Sequence, residues 1–276
     1  ATGVFLMNPY KDLYIYEIEG VIDQSHSTFR EDFLGCWSEG DCSYIFFSTD
    51  KKELVKAYLA DYPSLSLRSE TVVDYKDWEA GAELKPFKAG RLHVSPVWET
   101  VETGEDEVLI SIDPRLAFGS GNHATTKQCL EALCLVYQDD QPKRVLDLGC
   151  GTGILAVAAA KLGGETVLAV DYSNLAVETA ERNCQINHVE TRVEVVEGEA
   201  LDHLGWESDL LLANLRYYII EDLMESPHFV EKKWYILSGL LWSETQQLLT
   251  RLPDLSISVV KIISGDSWST VVAKRD

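Results

Sequence analysis

A glycine-rich stretch carries the strongest chemical signal in this sequence. It reads Asp147-Leu148-Gly149-Cys150-Gly151-Thr152-Gly153 and continues an apolar run that begins at Val145. Glycines let a backbone turn sharply and approach a ligand closely, and the helix that follows offers free N–H groups at its start. The third glycine comes one residue too early for the G-x-G-x-x-G loop of dinucleotide-binding proteins, and no P-loop pattern is present. The stretch therefore predicts a cofactor site that does not hold a pyrophosphate.

An acidic residue ends the next apolar run. This residue, Asp171, follows Gly149 by 22 positions. A carboxylate at the end of the second strand of an α/β fold can accept hydrogen bonds from both hydroxyl groups of a ribose. The simpler alternative is that Asp171 caps the helix predicted to start near Leu175. The glycine loop and the acid occur together at the proper distance, which favours the ribose contact.

The elements that position these residues alternate between strands and helices from about residue 125 onward. Helices are predicted at Ile154–Leu162, Leu175–Ile186, Ile219–Met224 and Glu244–Leu252. Strands are predicted at Val145–Leu148, Val167–Val170, Val193–Val196, Leu210–Ala213, Tyr235–Leu237, Ile257–Ile263 and Thr270–Ala273. This alternation predicts an α/β fold with a doubly wound, mostly parallel sheet that helices cover on both faces. A short loop at 264–266 makes the last two strands an antiparallel pair at one edge.

The first part of the chain has a different pattern. Strands are predicted at Tyr14–Ile18 and Tyr44–Phe47, and a helix at Lys51–Tyr62 that ends at Pro63. Residues 71–112 are irregular, with short strands at Arg91–Val94 and Val108–Ile112. We therefore predict a small α+β domain over 1–70 that governs substrate choice, a linker over 71–112, and a cofactor-binding domain over 113–276.

Composition narrows the class of protein. The 276 residues are 46% hydrophobic and 25% charged, which suits a globular protein with a sizeable core. There are 24 basic and 45 acidic residues, and the formal charge is −21. Binding to phosphate backbones needs clustered basic residues, so we expect no direct nucleic-acid contact and favour a basic protein partner. The alternative is that the charge serves solubility alone.

Two further classes of site are not expected. No apolar run approaches the roughly 18 residues of a membrane span and no leader peptide is recognisable, so no membrane association is expected. The six cysteines form no pair or cluster at zinc spacing, so we expect no metal and reduced thiols in the cytoplasm.

The glycine loop and Asp171 together resemble the pattern of class I S-adenosylmethionine-dependent methyltransferases. The resemblance implies a seven-stranded sheet of order 3-2-1-4-5-7-6 in which the seventh strand is antiparallel. It also implies that the glycine loop holds the amino-acid end of S-adenosylmethionine, through Asp147, Gly149, Gly151 and Gly153. Asp171 then holds the ribose.

A longer segment is similar to one particular family. The chain reads Asp113-Pro114-Arg115-Leu116-Ala117-Phe118-Gly119-Ser120-Gly121-Asn122-His123-Ala124-Thr125-Thr126. This segment resembles the D-P-G-x-A-F-G-T-G-x-H-x-T-T string of the PrmA family, which methylates amines of a ribosomal protein. Asp77-Trp78, Pro86-Phe87, Trp98 and Trp268 add to the resemblance. It implies a monomeric protein (lysine) N-methyltransferase, with a basic ribosomal protein as partner and Phe118, Thr126 and Glu199 among the cofactor contacts.

Asn214 is the candidate catalytic residue. Methyl transfer from a sulfonium to an amine is an in-line displacement, so the site needs an acceptor that aims the amine lone pair at the methyl group. Asn214 ends the fourth predicted strand and can supply its side-chain carbonyl, with the main-chain carbonyl of Leu215 beside it. The family resemblance also implies that Asn214 contacts the cofactor.

Several alternatives stay open. Thr125 and Gln128 fit a helix capping box, which would explain this stretch without a cofactor, and Glu199 could be a solvated loop acid. Arg216-Tyr217 departs from the family's N-I-L-A string, so the substrate could be a small molecule or another protein. A non-catalytic module with the same fold is disfavoured on the argument that a site without a ligand has no need of three close glycines.

Overall fold

The computed structural model describes residues 10–22, 29, 32–78, 84–265 and 267–276. The chain divides into two compact units, Ala1–Glu83 and Leu84–Asp276. The division differs from the predicted boundaries at residues 70 and 112. A strand of the first unit continues to Asp74, and the short strands expected in the linker belong to the second unit.

The first unit is a four-stranded antiparallel sheet with one main helix. Its elements are β1 (Asp12–Glu19), β2 (Phe33–Glu39), β3 (Cys42–Phe47), α1 (Lys52–Asp61), β4 (Ser66–Asp74) and the one-turn α2 (Tyr75–Trp78). The strand order is β2-β3-β1-β4. Val55 and Tyr58 of α1 pack with Tyr16, Ile18 and other apolar residues of the sheet. The predicted α+β character is confirmed, while β2 and β4 are not among the predicted strands.

The second unit contains the remaining strands and helices. Its strands are β5 (Phe87–Ala89), β6 (Leu92–Pro96), β7 (Val108–Ile112), β8 (Arg144–Leu148), β9 (Thr166–Asp171), β10 (Val193–Glu197), β11 (Leu210–Asn214), β12 (Trp234–Leu241), β13 (Ile257–Ser264) and β14 (Trp268–Arg275). Its helices are α3 (Ala124–Asp139), α4 (Ile154–Leu162), α5 (Asn174–Ile186), α6 (Ala200–His203), α7 (Tyr217–Glu225) and α8 (Trp242–Arg251).

The large sheet has seven strands in the order β10-β9-β8-β11-β12-β14-β13. The five strands from β8 to β12 pair in parallel, and β14 is antiparallel to both β12 and β13. This order confirms the arrangement that the class I methyltransferase resemblance implied, and the α/β fold class is confirmed with it.

Alternation along the strands places an apolar core on each face of this sheet. Val145 of β8 and Leu212 of β11 belong to the core that includes α3 and α4, whereas Leu146 and Leu211 belong to the core that includes α7 and α8. Successive side chains of a strand point to opposite faces, so strands buried on both faces need unbroken apolar runs. The runs in the sequence thus predicted a sheet covered on both sides.

The segment 84–112 is an ordered part of the second unit. Strands β5, β6 and β7 form a three-stranded sheet, and Leu92, Val94 and Ile110 are buried in the same core as α3 and α4. Asn187, the C-cap residue of α5, accepts a hydrogen bond from the backbone N–H of Ser111 at 3.0 Å. The two strands predicted here are confirmed as β6 and β7.

Three further properties follow from the described residues. No helix among them has both the length and the apolar character that a membrane crossing requires. All six cysteines are free thiols, at Cys36, Cys42, Cys129, Cys134, Cys150 and Cys184. No group of three or more potential metal-ligating side chains occurs in the described part of the chain.

Candidate functional site

The predicted site residues lie at the carboxyl edge of the parallel strands. The glycine loop follows β8, Asp171 ends β9 and Asn214 ends β11. Because β9, β8 and β11 are neighbours, these three groups occupy adjacent positions at one edge of the sheet. The backbone N–H groups of Gly149 and Cys150 both donate to the carbonyl of Val170, at 2.8 and 2.9 Å, which holds the loop against the end of β9.

The three glycines of the loop all adopt positive φ angles, at 71°, 54° and 75° for Gly149, Gly151 and Gly153. A Cβ at each position would meet the protein itself: the Leu215 side chain at 2.3 Å, the Phe118 carbonyl oxygen at 2.3 Å, and Ala180 at 2.9 Å. Any side chain would be strained here whether or not a ligand binds. The fold itself therefore needs these glycines, and their presence does not distinguish a catalytic site from a non-catalytic one.

Asp171 holds the glycine loop with the carboxylate that was predicted to hold a ribose. Its Oδ2 accepts from the backbone N–H of Gly151 at 2.9 Å, and its Oδ1 accepts from the N–H of Ser173 at 3.0 Å. Burial raises its pKa, while both backbone bonds act to lower it. A carboxylate has about four acceptor positions, so one remains on each oxygen for two further hydroxyl donors.

The simpler role considered for Asp171, a cap on the following helix, does not hold. Helix α5 begins at Asn174, and its N-cap residue is Ser173. Asp171 lies two residues before this cap, and its hydrogen bonds go to the glycine loop and to the turn between strand and helix.

Asp147 is buried beneath the loop with its charge uncompensated. The residue is 1% exposed, and neither carboxylate oxygen has a hydrogen-bond partner of standard geometry among the described residues. Burial raises its pKa to about 7; the backbone N–H of Ala156, near the start of α4, acts in the opposite direction. A buried carboxylate of this kind favours a cationic or strongly donating ligand group, because such a group offsets its desolvation.

The start of α3 differs from the predicted capping box. The helix begins at Ala124, and its cap is His123, whose Nδ1 lies 2.7 Å from the Thr125 hydroxyl and accepts from the Thr125 N–H at 3.4 Å. Gln128 does not reach back to the helix start. Its amide instead donates to the carbonyl of Trp268 at 3.1 Å and accepts from the Thr270 hydroxyl at 3.0 Å.

Thr126 is the next residue along α3 and is predicted to contact the cofactor. Its hydroxyl is buried and has no hydrogen-bond partner among the described residues. It is therefore a second polar group, beside Asp147, that a bound ligand could satisfy.

The segment around Phe118 packs onto the glycine loop. The Phe118 carbonyl accepts from the backbone N–H of Thr152 at 2.9 Å, and the Gly119 carbonyl accepts from the Thr152 hydroxyl at 2.7 Å. The Phe118 ring itself is 57% exposed and lies 5.6 Å from the His123 ring, centroid to centroid. Phe118 thus presents an open aromatic face beside the predicted cofactor site.

Asn214 and Leu215 lie between two glycine-containing segments. Asn214 is half-buried at the end of β11 and pairs in register with Ser238 of β12, whose carbonyl accepts from the Leu215 N–H at 3.2 Å. Gly239 has a φ of 81°, and a Cβ there would lie 2.3 Å from the Leu215 carbonyl oxygen. The Leu215 side chain fills the space next to Gly149, so the end of β11 contacts both β12 and the glycine loop.

Sequence reasoning missed Gly239 and the polar groups near it. The Ser238 hydroxyl lies 2.5 Å from the Thr270 hydroxyl, which in turn bonds to Gln128, and all three residues are buried. The glycine two residues after the predicted strand Tyr235–Leu237 was an available signal. The pairing with Thr270 was not, because these residues are 32 positions apart.

Glu199 is the predicted contact with the least structural support. It is exposed, and it precedes α6 as the N-cap residue without a side-chain hydrogen bond to that helix. It does follow β10, the neighbour of β9, and so lies at the same edge of the sheet as Asp171.

Comparison with known proteins identifies relatives that share one description. The family model described as ribosomal protein L11 methyltransferase (PrmA) matches residues 23–276. A ribosomal protein L11 methyltransferase of Dictyoglomus turgidum is 37% identical over 194 residues, which cover 70% of this chain and 64% of that protein. One from Clostridium perfringens is 29% identical over 270 residues, covering 96% and 83% respectively.

A solved structure agrees with these sequence relatives. The chain matches a ribosomal protein L11 methylase from Lactobacillus delbrueckii subsp. bulgaricus with a TM-score of 0.62 and 27% identity. That match covers 70% of this chain and 99% of the solved chain. By contrast, the chain spans less than two thirds of the Dictyoglomus relative and 58% of a Clostridium botulinum relative.

Proposed function

The chain belongs to the ribosomal protein L11 methyltransferase (PrmA) family, and from this premise we propose that it transfers methyl groups from S-adenosylmethionine to amines of a ribosomal protein. The amines are lysine side chains, an N-terminal amine, or both. The observation that carries the proposal is a set of acceptors at one edge of the sheet. These are the open positions on Asp171 and the buried carboxylate of Asp147, which has no hydrogen-bond partner of standard geometry among the described residues.

These acceptors fit the two polar ends of S-adenosylmethionine. Asp171 receives the two ribose hydroxyls on its remaining acceptor positions while it continues to hold Gly151. Asp147, Thr126 and the glycine loop receive the amino-acid end, whose ammonium group compensates the buried carboxylate. Phe118 and Glu199 border the rest of the proposed cofactor site. When bound, S-adenosylmethionine supplies the methyl group on a positively charged sulfur.

The residues of β11 orient the acceptor amine. A free lysine has a pKa of about 10.4, so its ammonium must lose a proton before it can attack, and the proton passes to water. The neutral amine then donates hydrogen bonds to the Asn214 side-chain carbonyl and the Leu215 main-chain carbonyl. These two bonds leave its lone pair directed at the methyl group, and alignment of this kind provides most of the acceleration.

Charge and division into units support a protein substrate. The formal charge of −21 favours encounter with a basic protein such as a ribosomal protein. The unit Ala1–Glu83 contains none of the proposed cofactor contacts, and we assign to it the recognition of the protein substrate. We further propose that the enzyme acts as a monomer and that it acts in the cytoplasm, where its six thiols stay reduced.

The experiment that tests this function is methyl transfer from labelled S-adenosylmethionine into ribosomal protein, followed by identification of the labelled residue. Replacement of Asn214 provides the sharper measurement. We expect Asn214→Ala to lower kcat by about tenfold to a hundredfold while the Kd of S-adenosylhomocysteine changes less, because the lost acceptor acts mainly during transfer. Label on a nucleic acid or small molecule, with none on protein, would contradict the proposal.

A further inference from the structure

Four exposed aromatic rings lie on segments that follow the carboxyl ends of strands in the second unit. Among the described residues of the second unit, four large hydrophobic side chains are more than 55% exposed: Tyr172 (75%), Trp242 (62%), Tyr218 (58%) and Phe118 (57%). All four lie on the loops and helix starts that follow the carboxyl ends of strands. Exposed aromatic residues that gather in one region mark an interaction site, whereas scattered ones need no explanation.

The four rings divide between the two sides of the site. Phe118 packs by its backbone on the glycine loop, and Tyr172 directly follows Asp171, so both adjoin the proposed cofactor contacts. Tyr218 and Trp242 follow β11 and β12 instead. Asn214 of β11 pairs in register with Ser238 of β12. Tyr218 lies four residues after Asn214, and Trp242 lies four residues after Ser238.

Neither of these two rings has another aromatic ring stacked on it within the described part of the chain. Tyr218 lies in the first turn of α7 and Trp242 opens α8. Both helices carry buried residues on their inner faces, so the exposed rings are not needed to hold the helices on the sheet.

The charges around the two rings are mostly acidic. Asp222 is exposed on α7, and Glu244 at the start of α8 accepts from the Leu241 N–H at 2.7 Å. Glu221 and Glu225 are paired with Arg251. Arg216 is the exposed cation beside Asn214. Within a chain of charge −21, this environment favours a cationic partner over an anionic one.

We propose that Tyr218 and Trp242 form an acceptor-side aromatic pair that receives a lysine-bearing segment of the protein substrate. The aliphatic stem of the lysine packs along the two rings, and the ring faces attract the lysine ammonium group. The ammonium then loses its proton to water, and the neutral amine reaches Asn214. This inference rests on the proposed function, since it names the surface through which that substrate enters.

The test measures methyl transfer by the full chain as a function of the concentration of ribosomal protein L11. We expect Tyr218→Ala and Trp242→Ala each to raise KM about two- to fivefold, and the double variant about tenfold, with kcat and the Kd of S-adenosylhomocysteine nearly unchanged. Tyr218→Phe and Trp242→Phe keep a ring and should restore most of the affinity. Leu135→Ala, on an exposed residue of α3, is the matched control and should leave KM unchanged.

A second measurement separates failure of this inference from failure of the proposed function. Binding of a fluorescent hexalysine peptide to the cofactor-loaded protein is compared between wild type and the double alanine variant. If the wild type binds the peptide and the variant binds it several-fold more weakly, the pair is supported even when no ribosomal protein is methylated. The inference would be overturned by any of three results. These are equal peptide affinity in the wild type and the variant, no peptide binding by the wild type, and an unchanged KM in the double variant.

Discussion

At the scale of single residues, the site is built around two carboxylates with different surroundings. Asp171 is buried yet bonded to two backbone N–H groups, whereas Asp147 is buried without a hydrogen-bond partner among the described residues. Desolvation raises the pKa of both, to about 7 for Asp147. The two acids therefore contribute differently, Asp171 by ordering the loop as well as by binding, and Asp147 by charge.

Removal of the Asp171 carboxylate tests the ribose contact. We expect Asp171→Ala to weaken binding of S-adenosylhomocysteine by at least about tenfold, because each bond to a charged acceptor contributes roughly 1.5–3 kcal/mol. Calorimetric titration measures the Kd. Asp209→Ala is the matched control, since Asp209 also accepts from two backbone N–H groups, those of Lys143 and Arg144, at the opposite edge of the sheet. Equal losses in both variants would mean that the effect is structural.

The Asp147 carboxylate should make stability depend on pH. Its folded pKa of about 7 lies above the unfolded value of 3.8, so ionisation penalises the folded state increasingly as pH rises from about 4 to 7. We expect Asp147→Asn to increase the free energy of unfolding relative to wild type at pH 8 and to have little such effect near pH 4. Urea unfolding at both values measures this, and a difference that does not vary with pH contradicts it.

The same substitution, Asp147→Asn, should weaken binding of the cofactor. Above pH 7 the ionised Asp147 attracts the cofactor ammonium, so S-adenosylhomocysteine should stabilise the wild type more than the variant. A gain in stability combined with a loss of binding is the expected signature of a residue kept for its function.

At the scale of elements, the ends of the neighbouring strands β8, β11 and β12 pack closely because glycines lie at the contacts. Leu215 lies against Gly149 of the loop after β8 and against Gly239 of β12, and the register of β12 with β14 shifts between Leu237 and Leu240. This irregularity lets the backbone of β12 approach the Leu215 carbonyl. A bulged strand beside a site commonly serves to direct a functional group.

A side chain at Gly239 should disturb catalysis more than cofactor binding. We expect Gly239→Ala to displace the Leu215 carbonyl and lower kcat by tenfold or more, because small misplacements of an aligning group are costly in rate. Gly163→Ala is the control: its φ is also positive, at 132°, but the nearest atom to its Cβ is the end of the Gln141 side chain at 3.3 Å. Kinetics and S-adenosylhomocysteine titration are compared, and similar effects of the two substitutions would contradict a positioning role.

At the scale of the whole molecule, cofactor chemistry and substrate choice are assigned to different units. All the proposed cofactor contacts lie within Leu84–Asp276, and the four-stranded sheet of the other unit has its own core of aromatic and aliphatic side chains. Units with separate cores are often able to fold alone.

The separate roles can be tested with the fragment Leu84–Asp276. We expect it to bind S-adenosylhomocysteine within about threefold of the full chain and to lose at least about tenfold in kcat/KM on the protein substrate. Titration and methyl-transfer rates provide the two numbers, and the fragment carrying Asp171→Ala serves as the non-binding control. Full activity of the fragment on the protein substrate would exclude a recognition role for the first unit.

The sequence by itself determined the order of the seven strands of the large sheet along the chain, the sheet class and the positions of the candidate acids. Strands buried on both faces need unbroken apolar runs, and sharp turns need glycine, so both features are local and can be seen in a chain read linearly. The helix at Ile154–Leu162 and the antiparallel final pair follow from such local rules.

Only the tertiary structure decided what these residues contact. It showed that the glycines accommodate Leu215, Phe118 and Ala180, that Gln128 bonds to β14 rather than capping its own helix, and that Gly239 adjoins Leu215 at the end of β11. Each of these contacts joins residues that are distant along the chain. Their partners are selected by the packing of whole strands and helices, and no local pattern encodes that packing.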